Sequence, residues 1–199
     1  GMVRDTKDVI LDRNFQQLEK IIEKHQELYA NHGTEERRKA FALAREFRRL
    51  FHNYIVSYYT LKKQTEKLIE NKIEDSHLDK EEVSEKMEET GLKEREDFIV
   101  KLRHYTQKYK LSEVSNVEVF GEPRNGIGSG QYFGIDKESF VEWCEKGNNR
   151  QKAKEYVEET EDIIYIGEEI KQFQECVDEY FEWLIPRVKE IYKQHYRNA

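Results

Sequence analysis

The chain has 199 residues, 38% of them charged and 12% aromatic, with two prolines and a net charge of −7. That length suits a single domain able to bury ~70% of its unfolded surface, the aromatic content argues against disorder, and the acidic balance disfavours non-specific adhesion to nucleic acid while allowing a local basic patch. No apolar run approaches the ~20 residues of a membrane-spanning helix, so no membrane partner is expected.

The pattern is helical almost throughout. Residues 5–30 carry Leu11, Phe15, Leu18, Ile22 and Tyr29 on one helical stripe, and Gly33 is placed to cap its C-terminal end. Thr34 opens a second helix, with Glu35 and Glu36 in the turn where the helix dipole favours acids. Its stripe runs through Phe41, Ala44, Phe47, Phe51, Tyr54, Ile55, Tyr58, Leu61, Leu68 and Ile69, with no Pro or Gly before Lys72. A polar stripe of Asn53, Ser57, Thr60 and Gln64 shares that helix, facing either a neighbouring helix or water. Residues 71–80 read as a turn. A short helix near Lys80–Thr90 then places Val83 and Met87 inside, and Gly91 interrupts it.

The next helix, Leu92 to Leu111, holds the most suggestive stretch, Phe98 to Lys110. Phe98, Leu102, Tyr105 and Tyr109 form its apolar face, and Lys101, Arg103, His104, Lys108 and Lys110 form a cationic cluster uninterrupted by acid. The character changes at Ser112. Five of the ten glycines lie between Gly121 and Gly134, two β-like runs flank Asn125-Gly126, and a β-hairpin over about 116–135 is expected. An isolated hairpin is marginal, so Val117, Phe120, Tyr132 or Phe133 should pack it against the helices. Asp136 caps a short helix holding Phe140, Trp143 and Cys144, and Gly147-Asn148-Asn149 ends it. A helix over about Arg150–Thr160, an apolar connector at 163–167 and a long helix from Glu168 to Tyr196 complete the chain, with a kink expected at Pro186. The fold class is all-α: an up-and-down bundle of long helices in one domain, 1–199, with a small β-hairpin insertion.

Most chemistries fail on spacing. Gly126-Ile-Gly-Ser-Gly-Gln lacks the Lys-Ser/Thr and following helix of a phosphate loop, and reads as a hairpin tip. A di-metal carboxylate bundle needs two Glu-x-x-His pairs, and only Glu74-Asp-Ser-His77 fits, in a turn. No metal or other cofactor is expected. Cys144 and Cys176 lie at apolar helix positions and read as reduced thiols of a cytoplasmic protein. The opening residues, Gly-Met-Val-Arg-Asp-Thr, have no signal-peptide core. His52 reads as structural, and Asn53 as either structural or functional. What remains is Arg103-His104-Tyr-Thr-Gln-Lys108, where crowded cations repel unless an anion joins them. Phosphate from RNA or a nucleotide is the natural anion. Arg can stabilise a charged phosphorane and His can move its proton. The plain alternative is a solvated basic face, or one neutralised by some of the 41 acids.

This stretch resembles the signature of the HEPN superfamily of helical bundles, in which an Arg, commonly followed by Asn, Asp or His, precedes a His after four to six residues. Phe51-His-Asn-Tyr54 and Tyr180-Phe-Glu-Trp-Leu184 are similar to features of that group, and the likeness covers about residues 35–111 and the last helix in outline. The resemblance implies metal-independent ribonucleases that act as dimers with their motifs meeting at the interface, often in defence or toxin–antitoxin systems. Arg103 and His104 would be the catalytic pair, with Lys101, Arg103, Lys108, Lys110 and Asn53 contacting phosphate or RNA. Here Lys108 occupies the position of the closing His. A lysine is protonated near neutral pH, so it binds phosphate but serves poorly as a general base. The expectation is therefore a degenerate HEPN-like interaction or RNA-associated module, a non-catalytic homodimer. The alternatives are an active ribonuclease using Arg103 and His104, and a purely structural helical protein.

Overall fold

A computed structural model describes residues 5–30, 34–70, 80–108, 115–119 and 130–197. The first stripe forms α1 (Asp12–Gln26), preceded by a π-helical segment at Thr6–Leu11 and followed by a 3₁₀ turn at Glu27–Ala30. The unbroken second stripe forms α2 (Thr34–Glu70). Then come α3 (Lys80–Glu89) and α4 (Leu92–Lys108), separated by Gly91, whose φ of +70° suits a helix-ending residue without a Cβ. The backbone amide of Gly91 donates to the Glu88 carbonyl at 2.9 Å, closing that turn.

The expected hairpin is present as β1 (Ser115–Val119) and β2 (Gly130–Asp136), antiparallel with Asn116 opposite Phe133 and Val117 opposite Tyr132. The tip between them, with Phe120 and Asn125-Gly126, lies outside the described residues. The apolar connector is itself a strand, β3 (Ile163–Tyr165). It pairs with β2 so that Ile135 faces Ile164, and the order is β1-β2-β3. Two helices lie between the hairpin and β3: α5 (Lys137–Glu145) and α6 (Gln151–Glu158). The final helix, α7 (Ile166–Arg197), continues through Pro186. A proline there disturbs the carbonyls of the preceding turn. Arg187 donates from its side chain to the Trp183 carbonyl at 3.1 Å, and its guanidinium lies over the Trp183 ring.

Helix α2 is the spine, packing against α1 on one flank and α4 on another, while α4 also meets α6 and α7. Phe47, Phe51, Tyr54, Tyr58, Phe98, Leu102, Tyr105, Phe140 and Phe173 join one contiguous buried cluster. The sheet belongs to it. Phe133 stacks on Phe47 at 4.4 Å between ring centres and on the buried His25 at 3.8 Å. Tyr132 and Phe133 thus anchor the hairpin as expected.

One reading of α2 changes and one open alternative is decided. Phe41, placed on the inward stripe, is 61% exposed. The polar stripe mostly faces a neighbour: Asn14 of α1 donates to Ser57, and Thr6 donates to Gln64 at 2.9 Å. Thr60 is exposed and bonds back to the Val56 carbonyl of its own helix. Below them Lys7 joins the N-terminal segment to α1 and α7, reaching Asp12 at 3.1 Å and Asp178 at 2.8 Å. Gln174 of α7 also bonds Asp178, and accepts the buried Tyr54 hydroxyl at 2.7 Å.

Candidate functional site

The helical period spreads the basic residues of α4 around its axis. At ~100° per residue, Lys101 and Arg103 lie roughly 160° apart, and His104 is roughly 100° beyond Arg103. Lys101 is 18% exposed and reaches Asp97 of its own helix at 3.8 Å. Its charge acts on Cys144 of α5, whose thiol burial pushes up to about 11. Arg103 turns instead to the seam with α2. His104 is exposed to solvent. Lys108 ends α4 and its side chain is not described, and Lys110 lies outside the described residues.

At the seam, Arg103 places Nη1 3.4 Å from Nδ1 of His52, and Gln107, one turn on, places Nε2 2.8 Å from the same atom. A guanidinium only donates, so His52 Nδ1 accepts and the ring proton sits on Nε2. Arg103 Nε is buried and has no hydrogen-bond partner among the described residues. No carboxylate lies within ion-pair distance of Arg103 among them either; the nearby Glu96 is engaged by Lys62 at 2.6 Å. Tyr59 borders the group, its hydroxyl pushed up to about 12 chiefly by burial, then by Glu96 and Asp97, with Arg103 opposing.

The structure therefore brings Arg103 together with His52 and Gln107, and places Lys101 on a different side of α4. Asn53 follows His52 on α2 but lies ~100° round, on the flank that carries Ser57 and faces α1. The sequence reading assigned His52 to structure and passed over Gln107. The available signal was the match of a half-buried His on one helix with an Arg and a Gln at i and i+4 on another.

Among the described residues, this arrangement holds a cation in place with no carboxylate to neutralise it. His52 accepts from the guanidinium while Gln107 donates to the same ring nitrogen, and no described carboxylate lies within ion-pair distance of Arg103. It is less suited to proton transfer, because the lone pair of His52 Nδ1 is already committed to two donors. A separate cavity of about 500 Å³ opens between α6 and the α3–α4 junction. Glu88, Glu94, Glu155 and Glu159 line it together with Lys93 and Lys152, and the net negative lining disfavours phosphate. No group of side chains able to hold a metal ion occurs among the described residues, and none of their helices is long and apolar enough to cross a membrane. The chain matches no protein-family model, no curated protein and no solved structure.

Proposed function

We propose that the chain is a degenerate HEPN-like, RNA-associated module that holds an RNA phosphate at Arg103 and does not cut it. The observation that carries this reading is the half-buried Arg103, held against His52 Nδ1, which also accepts from Gln107, and unmatched by any described carboxylate. Lys108 at the closing position of the motif, and His52 Nδ1 already occupied as an acceptor, favour binding over cleavage. His104, exposed beside Arg103, is a further phosphate contact in this reading, and the resemblance adds a homodimer with paired motifs.

The test is binding and integrity of a labelled single-stranded RNA in EDTA, with wild type, Arg103→Ala and His104→Ala. Wild type should bind and leave the RNA intact, and Arg103→Ala should bind roughly tenfold more weakly or worse, as loss of a charged hydrogen bond entails. Absence of binding by wild type removes the RNA reading. Cleavage in EDTA that His104→Ala abolishes makes the protein a ribonuclease instead. Sedimentation showing a monomer at every concentration removes the dimer.

A further inference from the structure

Helix α2 carries an unusual charge for this acidic chain. From Arg37 to Lys63 there are eight lysines and arginines against one acid, Glu46. The helical period sorts them. Arg38, Phe41, Arg45, His52, Val56 and Lys63, at intervals of 3, 4, 7, 4 and 7, fall on a single face within roughly 60°. The structure leaves that face uncovered: Arg38, Arg45 and Lys63 are exposed, Phe41 is 61% exposed and Val56 45%. Glu46 sits on the flank and is bound by Arg49, Nε to Oε2, at 2.9 Å. Among the described residues, Arg38, Arg45 and Lys63 have no ion-pair partner. His52, and with it the Arg103 seam, lies midway along this face, which extends ~38 Å from Arg38 to Lys63.

We infer that the exposed face of α2 is a track for single-stranded nucleic acid, with Arg38, Arg45 and Lys63 on separate phosphates along one strand, several nucleotides apart between Arg45 and Lys63, and Phe41 stacked under a base. The inference extends the RNA-associated reading above to a second surface and rests on it. Two features favour a single-stranded nucleic acid. Guanidinium forks match phosphate oxygens. A bare aromatic ring among cations offers a stacking face to an unpaired base, which a duplex keeps hidden in its own stack. The carboxylates of an acidic peptide would use the charges but offer no ring to Phe41, whereas every nucleotide carries both a phosphate and a flat base.

The experiment is titration of a 5′-labelled oligouridylate against wild type, Phe41→Ala, Arg45→Ala, Lys63→Ala and Arg103→Ala over a range of salt, with polyglutamate as competitor. The substituted α2 side chains are exposed, and an unchanged melting temperature checks the fold. Phe41→Ala should weaken binding about 5- to 150-fold with the salt slope unchanged, since stacking releases no counterions. Arg45→Ala and Lys63→Ala should each flatten the slope of log affinity against log salt by ~0.7. Wild-type affinity in Phe41→Ala, or an unchanged slope in both charge variants, overturns the track even where Arg103→Ala weakens binding and the seam stands. Weakening by the α2 variants with Arg103→Ala neutral supports the track and removes the seam. Displacement of the RNA by polyglutamate at equal charge concentration identifies an acidic protein as the occupant and overturns the inference. No binding by wild type overturns both readings.

Discussion

Two arginines eight residues apart on α4 show how neighbours decide a side chain's role. Arg95 donates to the Tyr156 hydroxyl and to Glu169 Oε2, the latter at 3.2 Å, and Tyr156 donates to the same oxygen at 2.9 Å. Burial pushes the Glu169 carboxyl above its ordinary range, while Tyr156 and Arg95 pull it down less strongly. Arg95 therefore works within the fold, whereas Arg103 faces no described carboxylate. The sequence could not separate them, because the difference lies in what α2, α6 and α7 set opposite each one. Arg95→Met should destabilise the protein by ~3 kcal/mol at neutral pH, leaving a carboxylate without its cation at a largely buried site. A carboxyl whose folded pKa is raised takes up a proton in the folded state before the unfolded one does. Acidification through that folded value therefore favours folding, and the penalty of Arg95→Met should shrink in mildly acidic buffer. Urea unfolding at the two pH values measures this, and a penalty that grows on acidification would show that Glu169 is not the group left exposed to the loss.

At the scale of elements, the ends and long stripes were legible and the margins were not. Asp136 is the clearest legible signal. Its side chain accepts the Ser139 backbone amide at 2.8 Å as the N-cap of α5, at the junction with β2. Asp136→Ala should cost ~1 kcal/mol of stability, read from the urea midpoint, and Asp136→Asn should restore most of it. The hairpin was equally visible, because alternating runs on either side of a glycine-rich turn admit few other structures. Phe41 was misplaced for a geometric reason. Phe41, Ala44 and Phe47 follow in steps of three, each step drifting by ~60°, so Phe41 ends roughly 120° from Phe47 and leaves the buried face. Strand β3 was hidden because three residues carry no period of their own. Ile163–Tyr165 is extended because β2 offers it a free edge. The charged face of α2 was present in the sequence but masked by its aromatic stripe, which drew attention to packing.

At the scale of the whole molecule, the seam joins residues 51 positions apart, so its geometry depends on how α2 and α4 dock rather than on either helix. That docking is tied to the sheet. Phe133 lies between Phe47 of α2 and His25 of α1, and the cluster containing it extends through Phe140 and Trp143 to α7. If helices and sheet form one cooperative unit, removal of the Phe133 ring will be felt everywhere. Phe133→Ala should lower stability by about 3–5 kcal/mol, combining lost transfer energy with the cavity left between two rings. Far-UV circular dichroism follows the helices. Fluorescence follows Trp143 on α5 and Trp183 on α7, and both signals should shift to the same lower urea midpoint. Two separated transitions, with the helical signal holding at its wild-type midpoint, would make the sheet an appended unit. The Arg103–His52 geometry would then have to stand on the α2–α4 contact alone.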